Sequence, residues 1–485
     1  MADVKWREVL HSYVANCIAL DKPASVQSFI LEEKDFILKH VQKGERIQAV
    51  LPKRLKTITQ ELNVTLEKSN VDWGRLALEI LEYKCDPPIL SEHTETLSNT
   101  ESGSGSSSSS KSQSIASSAS GYRMTSNDLE ALAMMYNSLD QDQMWMLKSG
   151  RRVEDVLYER AKATTLESPW HSMIIDPTDQ GLAGWFTAEE LEEIQETDTP
   201  ALIQMPEDMQ SFLDSFVGKQ TLHELRRQND DFKFDRRKEA DLYWMQKSIT
   251  SALDLYEYNF FQDLSSLSEN DLVRNVWAFI ERCFDPSPIK VSGGEITSQA
   301  STERKNGAKS DAERTRKQMG TRIDLLFKAN LLEFGVAEFG RSSDTLSMKN
   351  AREVSLKCPK TMKDMLIKLE KRCPNKLNQL KIQGMAIAGL NLNLLSMDCP
   401  RGYICRILPL GWQQYPMSVE EFISLIIPIF ASVYHAKKTM EQVRMDIISD
   451  QSRRTTSFGK KSTTRLSPSF TPVPVPRKRK ASNSM

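Results

Sequence analysis

Residues 320–340 read GTRIDLLFKANLLEFGVAEFG and set two carboxylates, Asp324 and Glu338, inside apolar runs of strand character. From Arg322 to Phe327 the run alternates: Ile323, Leu325 and Phe327 share one face, and Arg322, Asp324 and Leu326 the other. Lys328, Ala329 and Asn330 break the pattern and permit a reversal, after which residues 331–339 resume as a second strand interrupted by Gly335. The stretch predicts a β-hairpin with two acids in it. An ionised carboxylate is costly to desolvate in a sheet unless it meets a cation, hydrogen bonds or a metal, so the pair points to a divalent-ion site. The plainer alternative leaves each acid at a strand end, in water.

With Asp324 closing one strand and Glu338 the next, the hairpin resembles the metal-binding core of the PD-(D/E)XK (restriction-endonuclease-like) nuclease superfamily. The resemblance implies Mg²⁺ held by Asp324 and Glu338, with a third acid, Glu281 or Glu269, from the helix expected over residues 268–284. Where the superfamily has a lysine two residues after the Glu, this chain has Gly340 followed by Arg341. The resemblance then implies either a lysine from the next helix, among Lys349, Lys357, Lys360 and Lys363, or lost catalysis. The implied fold is an α+β or α/β chain with a helical N-terminal half. Its C-terminal three-layer core, residues 266–445, carries a small mixed sheet flanked by helices. The implied function is Mg²⁺-dependent hydrolysis of phosphodiesters in nucleic acid, and the basic tail described below places the protein in the nucleus. The alternative is a catalytically inactive pseudo-nuclease acting as a protein-interaction scaffold. Four stretches, SGRRVEDVLYE (149–159), HSMIID (171–176), SENDLVRNVWAFIERCFD (268–285) and the hairpin, also resemble an uncharacterised family of filamentous-fungal proteins, which brings no activity with it.

Composition narrows the classes. The chain has 485 residues, 39% hydrophobic and 27% charged, enough for one or two substantial cores plus linkers. No apolar run is long enough to span a bilayer, and the first ten residues lack a signal peptide's apolar core. Seven scattered cysteines without a CxxC pair suit reduced thiols and argue against a zinc module. GxGxxG and Walker A patterns are absent, which disfavours nucleotide-binding enzymes.

Taken in order, residues 1–95 read as a helical module, with Trp6, Leu10, Tyr13, Val14, Cys17 and Ile18 on one stripe and Ser25 capping a second helix. Residues 96–121, mostly Ser, Gly and Ala, read as a disordered linker. Residues 122–265 read as mainly helical, with a capping box at Thr187 and Glu190 and a short apolar run at 171–176 that suits an edge strand. The loop expected at 293–320 is rich in Ser, Lys and Arg and offers Arg304 and Lys305, with Arg341 beyond the hairpin, as nucleic-acid contacts. After the hairpin come helices over 348–372, strands over 382–390, 392–397 and 402–408, and a helix over 422–433.

Residues 446–485 read as a disordered basic tail: nine Lys and Arg and no acids lie between 451 and 485. Arg477, Lys478, Arg479 and Lys480 form an uninterrupted cluster that suits a nuclear import receptor, and Ser467-Pro468 and Thr471-Pro472 lie upstream as phosphate acceptors.

Overall fold

The computed structural model describes residues 2–20, 22–41, 47–67, 71, 76, 122–199, 201–264, 266–307, 318–340, 353–454 and 465–472. The chain forms two compact units, residues 1–122 and 123–485. The linker expected at 96–121 and the basic cluster at 477–480 lie outside the described residues.

The described part of the first unit is mainly helical. Helices α1 (Ala2–Ala19), α2 (Val26–Glu32), α3 (Lys34–His40) and α4 (Ile47–Glu61) are joined by a two-residue parallel pair, β1 (Ala24–Ser25) with β2 (Leu66–Glu67). The α1 stripe buries Trp6, Leu10, Tyr13, Val14 and Cys17, as its spacing requires, but Ile18 stays exposed. Trp6 packs edge-on against Phe36 at 5.0 Å and carries the Arg54 guanidinium over its ring at 5.0 Å. Ser25 Oγ accepts the Ser28 N–H, capping α2.

The second unit opens with helices α5 (Ser126–Asn137), α6 (Val153–Lys162), α7 (Ala188–Glu196), α8 (Glu207–Asp214), α9 (Leu222–Asp230) and α10 (Ala240–Glu257), with strand β3 (Ile174–Ile175) between α6 and α7. Thr187 and Glu190 form the capping box of α7. No boundary falls near residue 265, because Phe212, Trp244 and Leu253 share one apolar core with the sheet and the helices that follow. The helix expected over 268–284 is two: α11 (Glu269–Asn275) and α12 (Ala278–Cys283). Between them Trp277 turns inward, buries its ring and donates its Nε1–H to the Gly389 oxygen at 2.9 Å.

Among the described residues the sheet has seven strands rather than a few. Strands β4 (Lys290–Thr297), β5 (Arg322–Ala329), β6 (Leu332–Gly340), β7 (Ile382–Ala388), β8 (Asn391–Asp398) and β9 (Cys405–Gln414) lie in chain order, and β3 closes the far edge beside β9. Pairs β4–β5, β5–β6, β7–β8 and β8–β9 are antiparallel, and β6–β7 and β3–β9 parallel. The parallel β6–β7 step needs a crossover, supplied by a π-turn (Glu353–Lys357) running into α14 (Cys358–Glu370). The loop expected at 293–320 is in its described part strand β4 and helix α13 (Gln299–Gly307). Glycine, serine and charge hid β4, a half-exposed edge strand with a bulge.

Helix α14 covers one sheet face and α15 (Phe422–Arg454) the other. β6 runs unbroken through Gly335, where a Cβ would collide with Met440 of α15 and lie 2.6 Å from the Gln383 oxygen. Among the described residues no helix is long and apolar enough to cross a membrane.

The tail departs most from expectation. Helix α15 runs on to Arg454, and residues 465–472 lie docked along α14 instead of free in solvent. Arg465 and Leu466 donate their backbone N–H groups to the Glu370 carboxylate at 2.5 and 3.3 Å, and Ser469 Oγ donates to Asp364 Oδ1 at 2.7 Å. The Phe470 N–H donates to Ser172 Oγ at 3.0 Å. Leu466 and Phe470 are buried, each contributing about 1.5–3 kcal/mol of hydrophobic stabilisation, which a basic average composition conceals.

Two buried histidines give the fold a pH dependence. The Ile203 N–H donates to His435 Nδ1 at 2.9 Å and the Ser168 N–H to His171 Nδ1 at 3.1 Å, so each ring accepts at that nitrogen and is neutral. Burial, above all, depresses both imidazoles below their ordinary range. The unfolded chain therefore binds more protons below about pH 6.5, and the stability these rings provide is present above that pH and lost as pH falls toward their folded values. Urea unfolding should show stability dropping from pH 7 to 5.5 by up to about 1.4 kcal/mol per pH unit for each ring, with a smaller slope in His435→Gln. A flat profile over that window would contradict this assignment.

Candidate metal-binding and phosphodiester site

The hairpin forms as its alternation requires. Asn330, at φ 54°, makes the reversal, and Leu326 pairs with Val336 and Leu325 with Ala337. Continued by one residue, that register sets Asp324 opposite Glu338, and opposed residues of an antiparallel ladder project to the same face. That face is the one covered by α14.

Glu338 is buried in the interior of the sheet, with β7 on its other side through the pair Glu338–Ala386. Lys357, the last residue of the π-turn, places Nζ 2.7 Å from Glu338 Oε2, with side chains 29% and 2% exposed respectively. Asp324 is half-buried, and its Oδ2 accepts the Phe339 N–H at 2.7 Å, which ties the two strands together at the acids. Opposite Asp324 the β4 ladder slips between Gly293 and Ile296, and Gly294 and Glu295 take positive φ of 91° and 52°. A bulge at this point frees one edge of the Asp324 backbone from regular pairing and re-aims the strand. The neighbouring Cys358 thiol is fully buried, and burial first, then the Glu338 charge, push it up, so it is a packing group rather than a thiolate.

The other sequence candidates fall in different places. Lys360 pairs with Glu167, and Lys363 is buried and donates to the Ser172 oxygen at 2.5 Å, so of the described lysines proposed on the following helix it is Lys357 that meets Glu338. Lys349 and Arg341 lie outside the described residues. Glu281 is exposed on the opposite side of the sheet: a Cβ on Gly293 would lie 3.1 Å from Leu325 Cδ2 and 3.6 Å from Glu281 Oε1, and Leu325 faces away from Asp324. Glu269 sits in the first turn of α11. No group of three or more His, Cys, Asp or Glu placed to hold a metal ion occurs among the described residues. Arg304 is not a surface contact: its Nε donates to Asp364 Oδ2 at 2.7 Å, with side chains 9% and 1% exposed. Lys305 donates to the Met319 oxygen at 3.2 Å.

The site thus comprises two carboxylates on adjacent strands and one ammonium from the crossover helix. The bulge in β4 was missed by sequence reasoning, although the Gly293-Gly294 pair was a signal for it. Comparison with protein families, with curated proteins and with solved structures finds no match to this chain.

Proposed function

We propose that the second unit is a metal-dependent phosphodiesterase of the PD-(D/E)XK type acting on nucleic acid. The observation that carries the reading is the ion pair of Lys357 with Glu338 on the sheet face where the strand register sets Asp324 opposite Glu338, with the lysine arriving from the next helix where Gly340 leaves its usual strand position vacant. Helix, hairpin, crossover helix and further strands follow in the order such a core requires.

The donor set suits Mg²⁺, which takes hard oxygen ligands and commonly uses one or two carboxylates, the rest of its shell being water. Asp324 and Glu338 would hold it, and when bound it lowers the pKa of a coordinated water and neutralises charge developing on the phosphate. Lys357 is the group positioned to orient the attacking water or to stabilise the phosphorus centre, because its ammonium is held at the carboxylate by a short ion pair. Asp324, bonded to the Phe339 amide, is held rigidly against β6.

Purified full-length protein should cleave single- or double-stranded DNA or RNA only with Mg²⁺ or Mn²⁺. Asp324→Ala and Glu338→Ala should each lower the rate at least about 100-fold, and Lys357→Met by about 100-fold, with thermal unfolding still cooperative. Cleavage that survives both acid substitutions would place the site elsewhere. Intact folding with no cleavage of any of these substrates would leave the pseudo-nuclease scaffold as the reading.

Nuclear import is the second part of the proposal, and the contiguous cluster Arg477, Lys478, Arg479 and Lys480 supports it. A fluorescent fusion of residues 451–485 should accumulate in nuclei and disperse when all four are changed to Ala. Unchanged accumulation in that variant would move the signal.

A further inference from the structure

The docked segment 465–472 carries a chemical feature that the nuclease reading does not use. Five Ser-Pro or Thr-Pro pairs occur in the chain, at Ser168, Thr199, Ser287, Ser467 and Thr471. Burial separates them. Ser168 and Ser287 are buried, and the Ser467 hydroxyl is sealed from solvent without a hydrogen-bond partner. Thr199 and Thr471 are exposed.

Charge separates these two. Thr199 lies just past the end of α7, its hydroxyl donating to the Gln195 oxygen, beside Glu192, Glu193, Glu196 and Asp198. A phosphate there would meet the negative end of a helix and like charges. Thr471 instead receives a hydrogen bond from Arg304 Nη1, which also reaches the Phe470 oxygen at 3.4 Å. The Lys360 ammonium stands 5.7 Å from the centre of the Phe470 ring. Beside Phe470 and Thr471 two cations meet two acids: Asp364 binds Arg304 and Glu167 binds Lys360. Lys305, next to Arg304 on α13, carries a further positive charge and donates to the Met319 oxygen at 3.2 Å. The Arg304 fork uses Nε for Asp364, so Nη1 can serve an anion at Thr471 without giving up the buried pair.

We propose that Thr471 is a phosphorylation site for a proline-directed Ser/Thr kinase, and that its phosphate is received by Arg304, fastening residues 465–472 onto α14. In the transfer the Thr471 oxygen bonds to the γ-phosphorus of ATP and the bond from that phosphorus to the β-bridging oxygen breaks. ADP leaves with the electron pair, and the hydroxyl proton passes to the kinase's base. Pro472 favours an extended backbone at Thr471, the form in which such a kinase reads its substrate. The phosphate adds nearly two negative charges where the docked segment now offers a neutral hydroxyl that accepts from Arg304 and donates to the Ser469 oxygen at 3.5 Å, converting the Arg304 contact into an ion pair.

The full-length protein is incubated with ATP and a proline-directed kinase, and the modified residues are mapped by tandem mass spectrometry. Thr471 should be modified at least about 10-fold more than Ser467. The second ionisation of the phosphate, followed by ³¹P NMR, should lie at lower pH in the protein than in a free phosphopeptide spanning residues 465–475, since the nearby cations favour the dianion. Phe470→Ala, which removes the adjoining anchor, should return it toward the peptide value; the peptide comparison stands without that variant if it does not fold. No label at Thr471, label chiefly at Ser467, or a phosphate titrating as in the free peptide would each overturn the proposal.

Discussion

A carboxylate in the interior of a sheet must be neutralised, and the Glu338–Lys357 ion pair is where this fold meets that demand. Its partner cannot come from a neighbouring strand, because β5 and β7 offer Asp324 and Ala386 at that level. It comes from the connection between β6 and β7, which must cross over because the two strands are parallel. The helix that returns the chain to the sheet therefore also delivers the counter-ion, and the acid, the crossover and the lysine form one structural requirement. Asp324 joins it through the Phe339 amide, so the chemistry proposed for the site and the pairing of its strands rest on the same atoms.

Elsewhere the unit uses buried charge to clip irregular segments onto the sheet. Arg406 of β9 is fully buried, binds Asp398 through two nitrogens at 3.0 and 2.6 Å, and gives Nη1 to the Ile194 and Thr197 oxygens at the end of α7. Glu154 of α6 accepts the Trp145 and Tyr403 backbone N–H groups, both at 2.8 Å, fastening the segment before α6 to the turn before β9; burial raises its carboxyl above the usual range while those bonds oppose the shift. Arg304 and Asp364 do the same for α13, α14 and the docked tail. Such pairs add little net stability, since desolvation offsets much of the attraction, but a misplaced segment would leave a charge stranded.

Local signals carried much of this fold. The alternation in 322–327 and the break at Asn330 gave the hairpin, the Thr187 box gave the start of α7, and the apolar run at 171–176 gave the edge strand Ile174–Ile175. What stayed hidden depended on distant partners. Trp277 breaks a continuous helical pattern because Gly389, on the far side of the core, accepts its indole N–H. Four lysines after the hairpin looked equivalent until packing turned Lys360 to Glu167 and Lys363 to Ser172. The tail has the composition of a disordered chain, yet Leu466 and Phe470, four apart, find a groove whose polar rim is Glu370, Asp364 and Ser172.

The central claim is that Asp324 and Glu338 form one hard-oxygen cation site, and locating Mn²⁺ by anomalous scattering in soaked crystals of the full-length protein tests it most directly. The account predicts a peak within about 2–2.5 Å of a carboxylate oxygen from each residue, absent in Asp324→Asn crystals. A peak elsewhere, or none at these two residues at saturating Mn²⁺, would contradict it.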